Sequence, residues 1–173
     1  MGLVPPEESD RALAVLGRDI METHEGHLST GIFGTKYMLH GLTDLNQAEV
    51  AYTIVNQRTF PGWGHMLENG ATTLWEHWEF SDNMYSHNHP MFGSVSEWFF
   101  KALAGIKPAP DAVGFDKVII APQTVGDLKW TKASYDSVRG KIVSEWRMEA
   151  GRFHLHVRIP VGIDFSIRDA QTA

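Results

Sequence analysis

The spacing of hydrophobic residues changes along the chain. Before residue 107, apolar residues recur every three or four positions, which is the period of an amphipathic helix. The spacing predicts helices beginning near residue 9, over residues 30–42, from residue 44 or 46 to residue 58, and over residues 92–104. We expect these helices to form hairpins. In the second helix, Ile32, Phe33, Tyr37, Leu39 and Leu42 are predicted to face the interior.

After the proline-rich stretch at residues 107–110, the spacing shifts toward two, the period of a β-strand. Strands are predicted over residues 117–122, 128–135, 140–148 and 152–160. Residues 149–151 have the composition of a hairpin turn between the last two strands. The last third of the chain is therefore expected to be antiparallel β-structure.

Composition narrows the class of protein. The chain has 173 residues, of which 43% are hydrophobic and 21% charged, as in an ordinary globular domain or two small ones. Its net charge is -6 and its Lys and Arg residues are scattered, so we expect no nucleic-acid partner. There is no cysteine, which excludes disulfides, thiolate metal sites and cysteine nucleophiles.

Membrane insertion and export are not predicted. No uninterrupted apolar run reaches the roughly 18 residues that a membrane span needs. The first eight residues also lack the basic and apolar pattern of a signal peptide. The sequence as written thus predicts no membrane partner and no export signal, and the compartment stays open.

Candidate chemistry is concentrated in residues 70–79 and 86–98, which combine carboxylates, histidines and aromatic rings. A sugar ring has an apolar face that stacks on an indole and a rim of hydroxyls that bond polar groups. The candidate stacking residues are Trp63, Trp75 and Trp78. The candidate hydroxyl-binding residues are Glu76, Glu79, Asp82, His77, His87 and His89. Ordinary packing of the tryptophans explains the same residues equally well.

A metal site is the weaker interpretation of two further histidines. His154 and His156 alternate with apolar residues on one predicted strand, so they share a face. Two histidines could bind a metal, but no third ligand is evident and a solvated strand face explains the pattern. We expect no metal and no cofactor.

Several motifs occur in an order that resembles a known family. They are residues 27–35, Phe60-Pro61-Gly62-Trp63-Gly64, residues 70–76 (Gly-Ala-Thr-Thr-Leu-Trp-Glu), Asn88-His89, residues 93–98, residues 104–106, Pro122, and residues 133–140. Together they cover nearly the whole chain. The chain resembles the C-terminal portion of bacterial alpha-L-rhamnosidases, which are inverting glycosidases.

The resemblance implies an α+β fold in two parts. Residues 1–107 would be the C-terminal helices of an (α/α)6 six-hairpin toroid, and residues 108–173 a small antiparallel β-sandwich. The implied reaction is hydrolysis of terminal alpha-L-rhamnosyl residues with inversion, on a rhamnose-containing glycoside or polysaccharide. Glu76 matches the general base and His89 matches a residue that binds the rhamnose ring. Trp63, Trp75 and Trp78 would line the same cleft.

One part of the family pattern has no match. In the family the general acid lies on toroid helices upstream of the residues matched here, so we expect the chain alone to be inactive. Missing helices would also leave an apolar edge exposed. Activity would then need a homo-oligomer or a complementing toroid half. The alternative is a non-catalytic carbohydrate-binding or interaction module.

Overall fold

The computed structural model describes residues 4–83 and 86–168. The chain divides into two compact units, Met1–Val95 and Ser96–Ala173. The first is helical, and the second is built mainly from β-strands. The predicted order of helical hairpins followed by antiparallel strands is confirmed. The domain boundary after residue 107 stays a prediction.

The helices of the first unit are short. α1 (Ser9–Arg18) continues into a π-helical turn over Asp19–Thr23. It is followed by α2 (Ile32–Asp44), α3 (Ala48–Val55), α4 (Trp63–Glu68) and a 3-10 turn at Pro90–Gly93. α5 (Ser94–Trp98) begins at the end of the first unit, and the second π-helical turn that continues it, Phe99–Leu103, belongs to the second unit. Within the described ranges, none of these helices is both long and apolar enough to traverse a lipid bilayer.

α2 and α3 form a hairpin, as the spacing predicts. Leu39 and Leu42 of α2 and Ala51 and Ile54 of α3 are buried. The connection includes Asn46, whose φ of 59° lies in the left-handed region that Asn tolerates better than most residues. This buried seam between the two helices stabilises the hairpin.

The predicted orientation of α2 is wrong at two positions. Phe33 is 75% exposed and Tyr37 is 68% exposed, although both were expected to face inward. They stand four residues apart and so share one side of the helix, whereas Thr35, Leu39 and Leu42 are buried on another side. Because α2 is apolar on both sides, the spacing alone does not indicate which side meets the core.

The second unit contains two three-stranded sheets. In the first, β1 (Ile106–Pro108) pairs antiparallel with β2 (Lys117–Ile120), and β2 pairs parallel with β6 (Asp164–Ile167). In the second sheet, β3 (Trp130–Ser137), β4 (Gly140–Glu149) and β5 (Arg152–Arg158) form an antiparallel meander. The predicted strands correspond to β2 to β5, whereas β1, β6 and the parallel pairing are additional.

One hydrophobic core joins both sheets of this unit. It contains Val118 and Ile120 from β2, Ile142 from β4, and also Ala104, Ile106 and Ile163. The buried hydroxyl of Ser144 donates to the carbonyl oxygen of Ala104 at 2.7 Å, and the indole N–H of Trp146 donates to that of Leu103 at 2.7 Å. These bonds satisfy two polar side chains of β4 that the core would otherwise leave without partners.

At Gly105 the backbone passes close to another segment of backbone. Its φ is 73°, and a Cβ at this position would lie 2.2 Å from the backbone nitrogen of Pro122. Gly162 also has a positive φ, of 85°, but a Cβ there would meet nothing within 4 Å. The two glycines therefore separate the effect of backbone conformation from that of steric overlap.

We expect Gly105→Ala to lower the free energy of unfolding by about 3 kcal/mol or more, because the new methyl group overlaps the backbone in a conformation already unfavourable to alanine. Gly162→Ala should cost only the conformational part, about 1–2 kcal/mol. Urea denaturation of the two variants measures the difference. Equal losses would contradict the close approach.

Candidate functional site

Two backbone hydrogen bonds bring the predicted site segments together. The amide N–H of His89 donates to the carbonyl oxygen of Leu74 at 2.8 Å, and that of Glu76 donates to the carbonyl oxygen of Ser86 at 3.2 Å. The hydroxyl of Thr73 also donates to the carbonyl oxygen of His87. The segments before and after residues 84–85 therefore lie side by side, and Glu76 and His89 belong to one local structure.

An aromatic cluster supports these segments. The rings of Trp78 and Phe92 stack with centroids 3.8 Å apart, and Trp63 meets Trp78 edge-on at 5.1 Å. The indole N–H of Trp78 donates to the carbonyl oxygen of Thr30 at 2.8 Å, and that of Trp63 donates to the carbonyl oxygen of Phe92 at 3.0 Å. Both indoles are more than nine-tenths buried with their polar atoms satisfied.

A cavity of about 260 Å³ opens beside this cluster. Its lining comes from the start of α2 and from the two motif segments: Gly31, Ile32, Phe33, Gly34, Glu76, His77, Trp78 and Phe92. A Cβ added at Gly31 would meet nothing within 4 Å, so the glycine leaves open space at this wall. The first amide groups of a helix have no intrahelical partners, which makes the start of α2 a source of hydrogen-bond donors.

Glu76 has an unusual environment in this cavity. Its Oε2 atom is buried and has no hydrogen-bond partner among the described residues. Buried carboxylate oxygens are normally bonded, because an unpaired one loses its hydration without compensation. An oxygen in this position is suited to accept a hydrogen bond from a water or hydroxyl group bound in the cavity.

The other predicted site residues lie around the cavity in different ways. Trp78 is part of its lining, whereas Trp63 supports Trp78 from the side. Trp75 is only 3% exposed and packs edge-on against Phe80 at 5.2 Å. His89 is half-buried at the start of the Pro90–Gly93 turn, where its Nδ1 accepts the amide N–H of Met91 at 3.4 Å. The roles of these four residues stay predictions.

Sequence reasoning missed the wall formed by α2. Gly31 and Gly34 were singled out only as part of a family motif, and Phe92 only within residues 86–98 and as the start of a helix. Gly31, directly before α2, was the available signal, because a small residue there leaves space for a ligand, whereas the space beside Gly34 is filled by the side chain of Thr30. The proximity of Gly31 to Glu76 depends on long-range contacts through Trp78, which no local pattern indicates.

The histidines of the weaker metal hypothesis lie elsewhere, exposed on β5. Across residues 4–83 and 86–168, no group of three or more His, Asp or Glu side chains could hold a metal ion. Thus the structure adds no third ligand to His154 and His156.

Two models of known protein families match this chain. Residues 1–103 match the bacterial alpha-L-rhamnosidase 6 hairpin glycosidase domain, and residues 105–167 match the bacterial alpha-L-rhamnosidase C-terminal domain. The chain belongs to the bacterial alpha-L-rhamnosidase family. The resemblance read from the motifs is therefore confirmed.

Individual rhamnosidases show the same relationship. The chain is 36% identical to an alpha-L-rhamnosidase of Streptomyces avermitilis, with 92% of this chain and 16% of that protein covered. The alpha-L-rhamnosidase structure from Dictyoglumus thermophilum superposes with a TM-score of 0.90 at 42% identity, over 95% of this chain and 19% of that one. A Streptomyces avermitilis alpha-L-rhamnosidase solved in complex with L-rhamnose gives a TM-score of 0.82 at 34% identity, over 92% of this chain and 16% of that one.

The chain spans less than a fifth of the length of these rhamnosidases. The matched domains are those of the C-terminal part of the family. A relationship over this share establishes the family and the fold. Activity belongs to a whole enzyme and is taken up below.

The cavity wall provides a test of packing. We expect Trp78→Ala to lower the free energy of unfolding of the helical unit by about 3–5 kcal/mol, because a fully packed indole is removed. Trp78→Phe keeps a ring over Phe92 and should lose about 1 kcal/mol with the bond to Thr30. Trp130→Ala is the control: that indole is 65% exposed, and its loss should cost under about 0.5 kcal/mol.

Urea denaturation followed by circular dichroism in the helical band measures all three variants. Similar losses for Trp78→Ala and Trp130→Ala would show that Trp78 does not support the cavity.

Proposed function

We propose that this chain supplies the general base and part of the rhamnose subsite of an alpha-L-rhamnosidase. The enzyme would hydrolyse terminal alpha-L-rhamnosyl residues with inversion of configuration. The observation that carries the proposal is the carboxylate of Glu76, with its buried and unpaired Oε2, at a cavity of about 260 Å³ in the matched glycosidase domain.

Inversion needs two carboxyl groups with different tasks. Glu76, ionised, would take a proton from a water molecule as that water attacks the anomeric carbon from the face opposite the leaving group. A second carboxyl group, protonated, would give its proton to the departing oxygen. The two groups are typically about 6.5–9.5 Å apart, which leaves room for the sugar and the water.

The neighbours of Glu76 suit a sugar. Trp78 contributes to the apolar lining of the cavity, and His77 is exposed at the same cavity. At His89, Nδ1 accepts a backbone N–H, so in the neutral imidazole the proton is on Nε2. His89 would therefore offer an N–H donor to a rhamnose hydroxyl, which agrees with its family match.

The general acid would come from outside these 173 residues, on toroid helices that pack against this unit. Large hydrophobic side chains exposed on the helical unit support such a contact: Phe33 at 75%, Leu67 at 71%, Tyr37 at 68%, Phe60 at 53% and Phe80 at 50%. Phe33 and Tyr37 share one side of α2, and an exposed apolar side of a helix is typical of a surface that another element covers. A complementing toroid half fits this surface better than a second copy, because a second copy would bring no acid of the family pattern.

Complementation is the direct test. We expect the purified chain alone to release no aryl alcohol from an aryl alpha-L-rhamnoside. Addition of the toroid half of a related enzyme should restore release, because both carboxyl groups are then present. Release by the chain alone would show that an acid exists within these residues. Binding of L-rhamnose without hydrolysis in either mixture would favour a carbohydrate-binding module instead.

The role of Glu76 has a matched control in Glu79, which is exposed three residues further on. In the complemented enzyme, Glu76→Gln should lower kcat by about 100-fold to 10,000-fold, because the water loses its base. L-rhamnose affinity should change little. Glu79→Gln should leave both quantities near those of the unsubstituted chain.

Steady-state kinetics and calorimetric titration with L-rhamnose measure the two effects. Turnover that survives Glu76→Gln would remove this residue from the base role.

A further inference from the structure

A second groove lies in the β-strand unit and shares no residue with the cavity at Glu76. It has a volume of about 390 Å³ and lies over β3, β4 and β5. In register, Trp130 of β3 is opposite Arg147 of β4, which is opposite His154 of β5. Two residues away along each strand, on the same face, Lys132, Glu145 and His156 form a second row.

These six side chains form the outer face of the sheet. Side chains two residues apart on a strand point to the same side, and directly opposed residues in neighbouring strands are close enough to interact. The intervening row, Thr131, Trp146 and Leu155, includes the buried Trp146. The inner and outer faces of β3 to β5 therefore differ: one is packed in the core and the other forms the groove.

Trp130 is the unusual residue of this groove. Its indole is 65% exposed. Trp146 of β4, which is opposite Thr131 of β3, is only 2% exposed, and its indole N–H donates to the carbonyl oxygen of Leu103. An indole that packs against little else provides a flat apolar surface at low conformational cost. Surrounded by side chains that donate hydrogen bonds, such a surface suits a ring with one apolar face and a polar rim.

The hydrogen-bond donors of the groove indicate which kind of ring. Lys132, Arg147 and Glu145 are the charged residues of its lining, and Glu149 lies beside Arg147, so each of the two cations has a carboxylate neighbour. Lys132 Nζ lies 3.2 Å from Glu145 Oε1, and Arg147 uses its Nε for Glu149 Oε2 at 3.1 Å. An arginine has further donors on its two Nη atoms, which match the geometry of a carboxylate.

We propose that this groove binds a uronic acid residue of an acidic oligosaccharide. Trp130 stacks on the apolar face of the sugar ring, and Arg147 bonds its carboxylate. His154 and His156 bond ring hydroxyls from the neighbouring strand. This site is independent of hydrolysis at Glu76, so either proposal can fail without the other.

The probe is trigalacturonic acid, compared with the same trisaccharide after reduction of its carboxyl groups to alcohols. Calorimetric titration of the full chain should show tighter binding of the acid than of the reduced form. Trp130→Ala should weaken binding of the acid about tenfold or more, because a central aromatic contact is lost. Trp130→Phe should recover part of that affinity.

Arg147→Gln should abolish the preference for the acid over the reduced trisaccharide while leaving some binding by stacking. Phe165→Ala is the matched control, since Phe165 is an aromatic residue 57% exposed on β6 of the other sheet. This variant should bind trigalacturonic acid as tightly as the unsubstituted chain does. Glu76→Gln should also leave this affinity unchanged, which separates the groove from the hydrolytic site.

Three results of the titrations would overturn the proposal: no measurable binding of either trisaccharide, equal binding of both, or binding that Trp130→Ala leaves intact. Binding by the chain that disappears on complementation with a toroid half would overturn it too, because the groove would then be a surface for a protein.

Discussion

Trp78 connects parts of the sequence that are distant from one another. Its ring stacks on Phe92 and meets Trp63 edge-on, while its N–H reaches the carbonyl oxygen of Thr30 just before α2. A smaller side chain could not make all three contacts, because the ring contacts need an aromatic surface and the hydrogen bond needs the indole N–H. The position of the start of α2 beside Glu76, and with it the cavity, depends on this residue.

The β-strand unit depends on a comparable arrangement at its own centre. Trp146 and Ser144 donate to the carbonyl oxygens of Leu103 and Ala104, directly before the close backbone approach at Gly105. The inner face of β4 is thereby used for packing and for satisfying buried polar groups. The opposite face of the same sheet, which holds the exposed Trp130, is the one proposed above to bind a ligand.

Features of this chain that depend on neighbouring residues could be predicted from the sequence, whereas features that depend on contacts between distant residues could not. Helices, hairpins and long strands could be predicted because their spacing is local. Glu76 was assigned to the site because it belongs to a contiguous motif, and its role stays a prediction. The exposed side of α2 could not be predicted, since Phe33 and Tyr37 are hydrophobic like the buried Leu39. The strands β1 and β6 contain three and four residues, too few for a period to be recognised. Their pairing, and the wall of the cavity, depend on contacts between distant residues.

The unpaired Oε2 of Glu76 has a cost in stability as well as a use. A buried acceptor without a partner destabilises a fold by about 1–3 kcal/mol, and evolution could remove that loss with a hydrophobic residue of similar size. A more stable helical unit is therefore available within a single substitution, at the expense of the chemistry that the carboxylate permits. Residues at functional sites often carry such a trade-off between stability and activity. Under the role proposed for Glu76, selection for stability and selection for function would act in opposite directions on one oxygen atom.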